Sequence, residues 1–445
     1  MGKIAVEKAF LFSERKSLSD VLRQALKAGG LQIENIVSID QEKDFSTVIH
    51  SEQFSYLILD WEKGADTICH LLEENRKEHA LESHPVLLLA SEPDEKIIQT
   101  AAEYFVSHLC IGEVTVDSVS TQVKAMIAET RNLSPIRQVL VNVENLKRSK
   151  KIAEAIELLV STDKKIPGNP RVIVELAELH VEEKRWEEAE KLLEKHLEDN
   201  PPLARVKHLY AKCMLNKKNY EKAVASLKGA QVISPYNTER LLEIADVYLD
   251  LDRLNDADAT YSDILKIAPG SKNAKMGKSK VKLLAGEINE ALAIIKECGN
   301  NRDLSSVFNT SAVVAINQKK FSQGFDLYQR ALKLLASDNY HLARIIYNMG
   351  IGLFKNDKKD KALLCFEKAF ELDPKFVNAE HNVRALKNAS NEKSLNVLSE
   401  TEFEPIGDIE IGGVASTEAV EGESDQDDIV DGLDFDSIFD DVENF

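Results

Sequence analysis

Five alanines stand 34 residues apart: Ala155, Ala189, Ala223, Ala257 and Ala291. A proline follows twelve residues after four of them, at Pro167, Pro201, Pro235 and Pro269, while Asp303 holds the fifth place. Strict self-similarity at this period admits few folds: each unit must be a small supersecondary element that buries its apolar face by stacking on its neighbours. The small residue lets two helices approach closely, and the proline ends the second helix. The next unit keeps the pattern with Gly324 at the alanine place. The last is the clearest, NMGIGLFKNDKKDKALLCFEKAFELDP (348–374), with Gly350, Ala362, Phe366, Ala369 and Pro374 in position.

On these residues the chain resembles the tetratricopeptide repeat family over 136–376, as seven units. The resemblance implies helix hairpins stacked into an all-α right-handed superhelix whose first helices line a concave groove. Two departures stand out. Lys278 and Ser279 replace a large and a small apolar residue, and about four residues are inserted near Asn339–Leu342. Both are expected to alter curvature locally. Residues 377–390 read as a solvating cap helix.

Ahead of the repeats, residues 1–131 alternate apolar runs with amphipathic stretches. AFLFS (9–13), IENIVSI (33–39), YLILD (56–60), PVLLLA (85–90) and FVSHLCI (105–111) read as parallel strands buried on both faces. Five strand–helix units imply an α/β doubly wound sheet. Functional groups gather at the carboxyl ends of such strands, and Asp60 sits at one.

The strand order, with Asp60 closing the third strand, resembles the response-regulator receiver domain. In that family the corresponding aspartate accepts phosphate, two acids after the first strand hold Mg²⁺, and a lysine ends the fifth strand. Here the acid pair aligns with Ser13 and Glu14, the Thr/Ser place with Ala90 beside Ser91, and the lysine place with Gly112 and Glu113. Incoming phosphate needs positive charge, which Glu113 does not supply. The expectation is a degenerate, pseudo-receiver domain with Asp60 as a strand-end carboxylate. The alternative is a response regulator phosphorylated at Asp60, with the repeats as output. Only then would Mg²⁺ be a cofactor, held by Glu14; otherwise no cofactor is expected.

By resemblance to the repeat family, groove positions fall at Arg171, Arg205, His208, Lys212, Lys280, Asn309, Arg344 and Tyr347. The mix of cationic and apolar groups suits an extended peptide with acidic and apolar side chains. It is not the carboxylate clamp of chaperone-binding repeats.

The net charge of −19 is concentrated at one end. Residues 391–445 hold 18 Asp or Glu against one Lys, leaving −2 for the rest. This segment reads as a disordered acidic tail. Within it, Phe435, Ile438, Val442 and Phe445 share one helical face, the pattern of a docking motif that folds on a partner. The tail could also enter the chain's own groove. A nearly neutral body excludes nucleic acid as the expected partner. No apolar run approaches the ~18 residues of a membrane span, and no signal peptide is legible, so a cytoplasmic location is expected. Cys69, Cys110, Cys213, Cys298 and Cys365 form no CxxC, and no HExxH, P-loop or GxSxG motif is present. The chain is therefore expected to be a non-catalytic interaction scaffold in bacterial signalling.

Overall fold

The computed structural model describes residues 8–13, 16–29, 36–50, 55–79, 84–106, 108–335 and 338–387. The chain divides into two compact units, 1–244 and 245–445, which are taken in turn.

The first unit opens with β1 (Lys8–Phe12), α1 (Lys16–Gly29), β2 (Ile36–Ile39), α2 (Glu42–Ile49) and β3 (Ser55–Asp60). A single 3₁₀ turn, Trp61–Lys63, leads into α3 (Ala65–His79), β4 (Val86–Ala90), α4 (Glu95–Glu103), β5 (His108–Ile111) and α5 (Val116–Arg131). All strand pairs are parallel, in the order β2-β1-β3-β4-β5. That is the flavodoxin-like doubly wound order. Every residue of β3 and β4 is buried, which is why their sequences carry unbroken apolar runs rather than alternation. Apolar side chains on one sheet face pack with Leu22, Leu26, Val119, Val123 and Ile127 of α1 and α5. The other face packs on Phe45, Ile68, Leu72 and Ile97 of α2, α3 and α4. The fifth strand is shorter than its apolar run. Phe105 follows α4 with a left-handed backbone (φ 53°), and the strand itself is His108–Ile111.

Helix pairs follow: α6 (Pro135–Arg148) with α7 (Ile152–Lys165), α8 (Pro170–Glu182) with α9 (Trp186–Asp199), and α10 (Ala204–Asn216) with α11 (Tyr220–Ile233). Next, α12 (Thr238–Asp250) runs on into the second unit. There it is followed by α13 (Leu254–Ile267), α14 (Lys272–Leu284), α15 (Ile288–Cys298), α16 (Asn301–Asn317), α17 (Phe321–Leu334), α18 (Asn339–Lys355), α19 (Lys359–Leu372) and α20 (Val377–Lys387). The ruler alanines 155, 189, 223, 257 and 291 are all fully buried. Pro167, Pro201, Pro235 and Pro269 each stand two residues beyond a second helix. Where proline is missing, Asp303 closes a capping box with Asn300 at the start of α16. Gly324 is required by close approach, since a Cβ there would lie 2.6 Å from Ile316 Cγ1.

The two departures have local causes. Lys278 reaches back to Asp258 (3.0 Å) and Ser262 (2.8 Å) on α13, and buried Ser279 donates to Met276 O (2.7 Å). The inserted residues are absorbed as helix, for α18 has 17 residues against 13 in α8. The acidic segment 391–445, with Phe435, Ile438, Val442 and Phe445, lies outside the described residues, as do Glu14 and the last three residues of the expected cap. Among the described residues no helix is long and apolar enough to cross a membrane.

Candidate functional site: the faces of the first helices

In the first unit, α8, α10 and the start of α12 are met by α3 and α4 of the sheet domain. Four charged side chains interlock there. Arg76 of α3 holds Glu73 (2.7 Å) and Glu178 of α8 (2.7 Å). Arg205 of α10 binds the same Glu178 (2.6 Å) and lies 3.5 Å from Glu73. All four are buried, and the two guanidiniums balance the two carboxylates. The arginines hold the Glu178 carboxyl below its ordinary range against the opposing effect of burial. Glu175, one helical turn away, is pushed up to about 7 by burial and by the Glu178 charge.

A second cluster sits at the end of α4. Arg240 of α12 pairs with Glu103, and both side chains are almost completely buried. Asn237 Nδ2 donates to the same carboxylate (3.3 Å), and Arg240 Nη1 to Ser234 O (2.9 Å). Ser234 donates to Thr100 (3.1 Å), Thr238 to Asp66 (2.5 Å) and Tyr236 to Asp94 (3.2 Å). Trp61 meets Tyr236 edge-on at 5.3 Å.

These contacts correct the expected groove. Arg205 is consumed by carboxylates of its own chain, and Arg171 lies against the Phe105 ring (5.6 Å). His208 is buried with Nε2 2.7 Å from Glu243, and burial lowers its pKa. Lys212 is half-buried, 3.9 Å from the same glutamate. Over the first repeats the face expected to receive a peptide is filled by α3 and α4. The physical reason is charge: Glu73 and Glu103 could not be buried without those arginines.

In the second unit Tyr347 packs between Phe366 (5.3 Å) and Phe376 (4.8 Å), its hydroxyl accepting from Asn382 (3.0 Å). Arg344 lies over the rings of Tyr340 (3.6 Å) and Phe376 (4.7 Å) and pairs with Asp373 (2.9 Å). Asn309 is buried, its carbonyl accepting from Asn348 (2.8 Å). Tyr347, Arg344 and Asn309 are therefore also committed to internal partners.

Lys280 differs. It lines a cavity of about 320 Å³ between the first helices α12, α14 and α16, with Asp246, Leu249, Asp250, Leu284, Asn309, Thr310, Val313 and Val314. Lys280 Nζ stands 4.0 Å from Asp246, which also accepts from Tyr261 OH (2.9 Å). Burial and the Asp246 charge raise the Asp250 pKa, and Lys280 offsets this in part. The expected groove chemistry is thus reversed here, with two carboxylates facing one ammonium.

Asp60 is fully buried at the end of β3. Its Oδ2 accepts from Ser13 Oγ (2.5 Å), and its Oδ1 caps the 3₁₀ turn through Glu62 N (3.3 Å). It is a structural cap in place, not an exposed acceptor. No group of three or more metal-ligating side chains occurs among the described residues, and Glu14 lies outside them.

Residues 146–213, 214–281 and 343–376 match the tetratricopeptide repeat family. Those segments carry tetratricopeptide repeats. Solved structures are similar to the chain at low identity. A tetratricopeptide repeat protein from Parabacteroides merdae is 17% identical over 56% of this chain and 98% of its own, with a TM-score of 0.41. The C-terminal part of a repeat-containing protein from Cytophaga hutchinsonii is 14% identical over 54% and 98%, with a TM-score of 0.36. YrrB, a repeat protein described as having an unusual peptide-binding site, is 16% identical over 50% and 96%, with a TM-score of 0.29. No curated protein gives a significant match. Tetratricopeptide repeat proteins are in general protein–protein interaction scaffolds.

Proposed function

We propose that this chain is a non-catalytic scaffold in bacterial signalling that works in the cytoplasm. Its parts are a degenerate receiver domain (1–131), seven repeats (136–376), a cap helix (377–390) and an acidic tail (391–445) with Phe435, Ile438, Val442 and Phe445 as a docking motif. The observation that carries this reading is the use made of the first helices. Those of the early repeats hold the chain's own α3 and α4, while α12, α14 and α16 leave a cavity. A receiver ancestry is supported by the 2-1-3-4-5 sheet order and by an aspartate closing β3. Burial of Asp60 against Ser13 speaks against the phospho-switched alternative.

The tail reaches a separate partner in this reading. The early groove is filled, and the later cavity repels carboxylates. Affinity capture with the full chain and with residues 1–390, read by mass spectrometry, tests the proposal. A specific partner lost with the tail supports the docking motif. Failure of both baits to retain any stoichiometric partner would remove the scaffold reading.

A further inference from the structure

Resting on the scaffold reading, we propose that the cavity between α12, α14 and α16 is a docking site for the basic side chain, lysine or arginine, of an extended partner segment with apolar neighbours. The volume of about 320 Å³ lies at the small end of ligand pockets and suits one long side chain with part of its backbone. Its wall carries Leu249, Leu284 and Val314, which would cover an aliphatic stem. Asp246 and Asp250 stand one helical turn apart on α12 and would meet a charged head. A lysine or arginine joins those two properties in one side chain.

The hydrogen-bonding state of the wall gives the sign independently. A carboxylate ligand needs donors, and the wall's hydroxyl donors are already spent. Thr310 donates to Ser306 O (2.8 Å), Ser311 to Val307 O (2.8 Å), and the Asn309 oxygen is itself an acceptor for Asn348 (2.8 Å). Lys280 is the cation lining the cavity, and it faces Asp246 across 4.0 Å. Two carboxylates against one ammonium leave an excess negative charge beside apolar surface. A guanidinium or ammonium entering the cavity completes that set, whereas the chain's acidic segment 391–445 has the wrong sign.

The test is affinity selection by the full chain from amidated, acetylated heptapeptides. Their flanking positions are randomised over Ala, Leu and Val, and their centre is Lys, Arg, Glu or norleucine. Lys- and Arg-centred peptides should be enriched about tenfold or more over Glu-centred ones, equivalent to ~1.4 kcal/mol, and the enrichment should shrink with salt. The exposed pair variant Asp246→Asn/Asp250→Asn should abolish the preference. Independently, Lys280→Glu should strengthen it. Enrichment of Glu-centred peptides, or a basic preference unchanged in both variants, overturns the inference and leaves the scaffold reading standing. No enrichment at all, while the full chain still captures protein partners, also overturns it alone. No enrichment and no captured partner removes both.

Discussion

At the scale of single residues, the charged groups divide by whether their neighbours neutralise them. Arg240 and Glu103 are buried together with Asn237. Arg240→Ala leaves Glu103 buried without its cation and should cost roughly 3–5 kcal/mol. The joint replacement Arg240→Met/Glu103→Leu should cost far less, because it removes both charges; urea unfolding of the three proteins checks this. Glu175 gives a pH signature. Its carboxyl moves from an ordinary value of 4.5 up to about 7 in the folded chain. The folded state therefore holds a proton that the unfolded state has released, and stability from this group falls as pH rises from about 4.5 to about 7. Glu175→Gln should raise the urea midpoint at pH 8, and the advantage should vanish near pH 4.5 or below. Asp60 has a different fate: incubation of the full chain with acetyl phosphate and Mg²⁺ should yield no phosphoryl adduct by intact mass. A stoichiometric adduct lost in Asp60→Ala would restore the response-regulator alternative.

At the scale of elements, the repeat is written twice. Alanines and prolines display it in the sequence, and a backbone motif displays it again in the structure. Lys150, Lys184, Lys218 and Asp252 all have left-handed φ values of 56° to 59°, 34 residues apart, and Gly286 continues the series at 82°. After each, the next amide bonds to the carbonyl five residues back, as Arg185 N does to His180 O (2.7 Å) and Asn219 N to Met214 O (2.9 Å). This is a Schellman ending of each first helix, and it makes the sharp turn into the second. Glycine is the usual occupant, yet four of these five places hold Lys or Asp. A left-handed residue with a Cβ costs roughly 1–2 kcal/mol, partly recovered because glycine adds ~0.4–1 kcal/mol of unfolded-state entropy. Lys218→Gly should therefore stabilise by a net of up to about 1 kcal/mol in thermal or urea unfolding. A loss of stability would mean that the Lys218 side chain contributes more than its backbone costs.

At the scale of the whole molecule, the first compact unit joins a parallel sheet to the early repeats through buried ion pairs, with Trp61 against Tyr236 beside them. Such a joint is specific but intolerant of a changed sign. Arg205→Glu would place a third carboxylate beside Glu73 and Glu178. Hydrogen exchange in α3 and in α10 should rise together in that variant, while exchange in β3 and β4, buried within the sheet, stays slow. Unchanged protection of α3 would show that the ion cluster does not hold the two parts together. The second unit offers its first helices differently, with Lys280, Asp246 and Asp250 lining a cavity.

The sequence by itself determined the helical repeats, their period and their end signals, and it determined the five strands with Asp60 at the end of the third. Those features are local: small residues at fixed spacing, prolines after helices, and apolar runs long enough for buried strands. Only the tertiary structure decided what the charged positions do. Arg205 reads in sequence as a groove cation and Arg240 carries no local signal, and their carboxylate partners Glu73 and Glu103 lie more than a hundred positions away. Asp60 caps the 3₁₀ turn through Glu62 N, and Ser13, the residue after β1, donates to its other oxygen. Periodicity is carried by neighbours along the chain. The neutralisation of a charge is carried by neighbours in space, and a single sequence does not announce them.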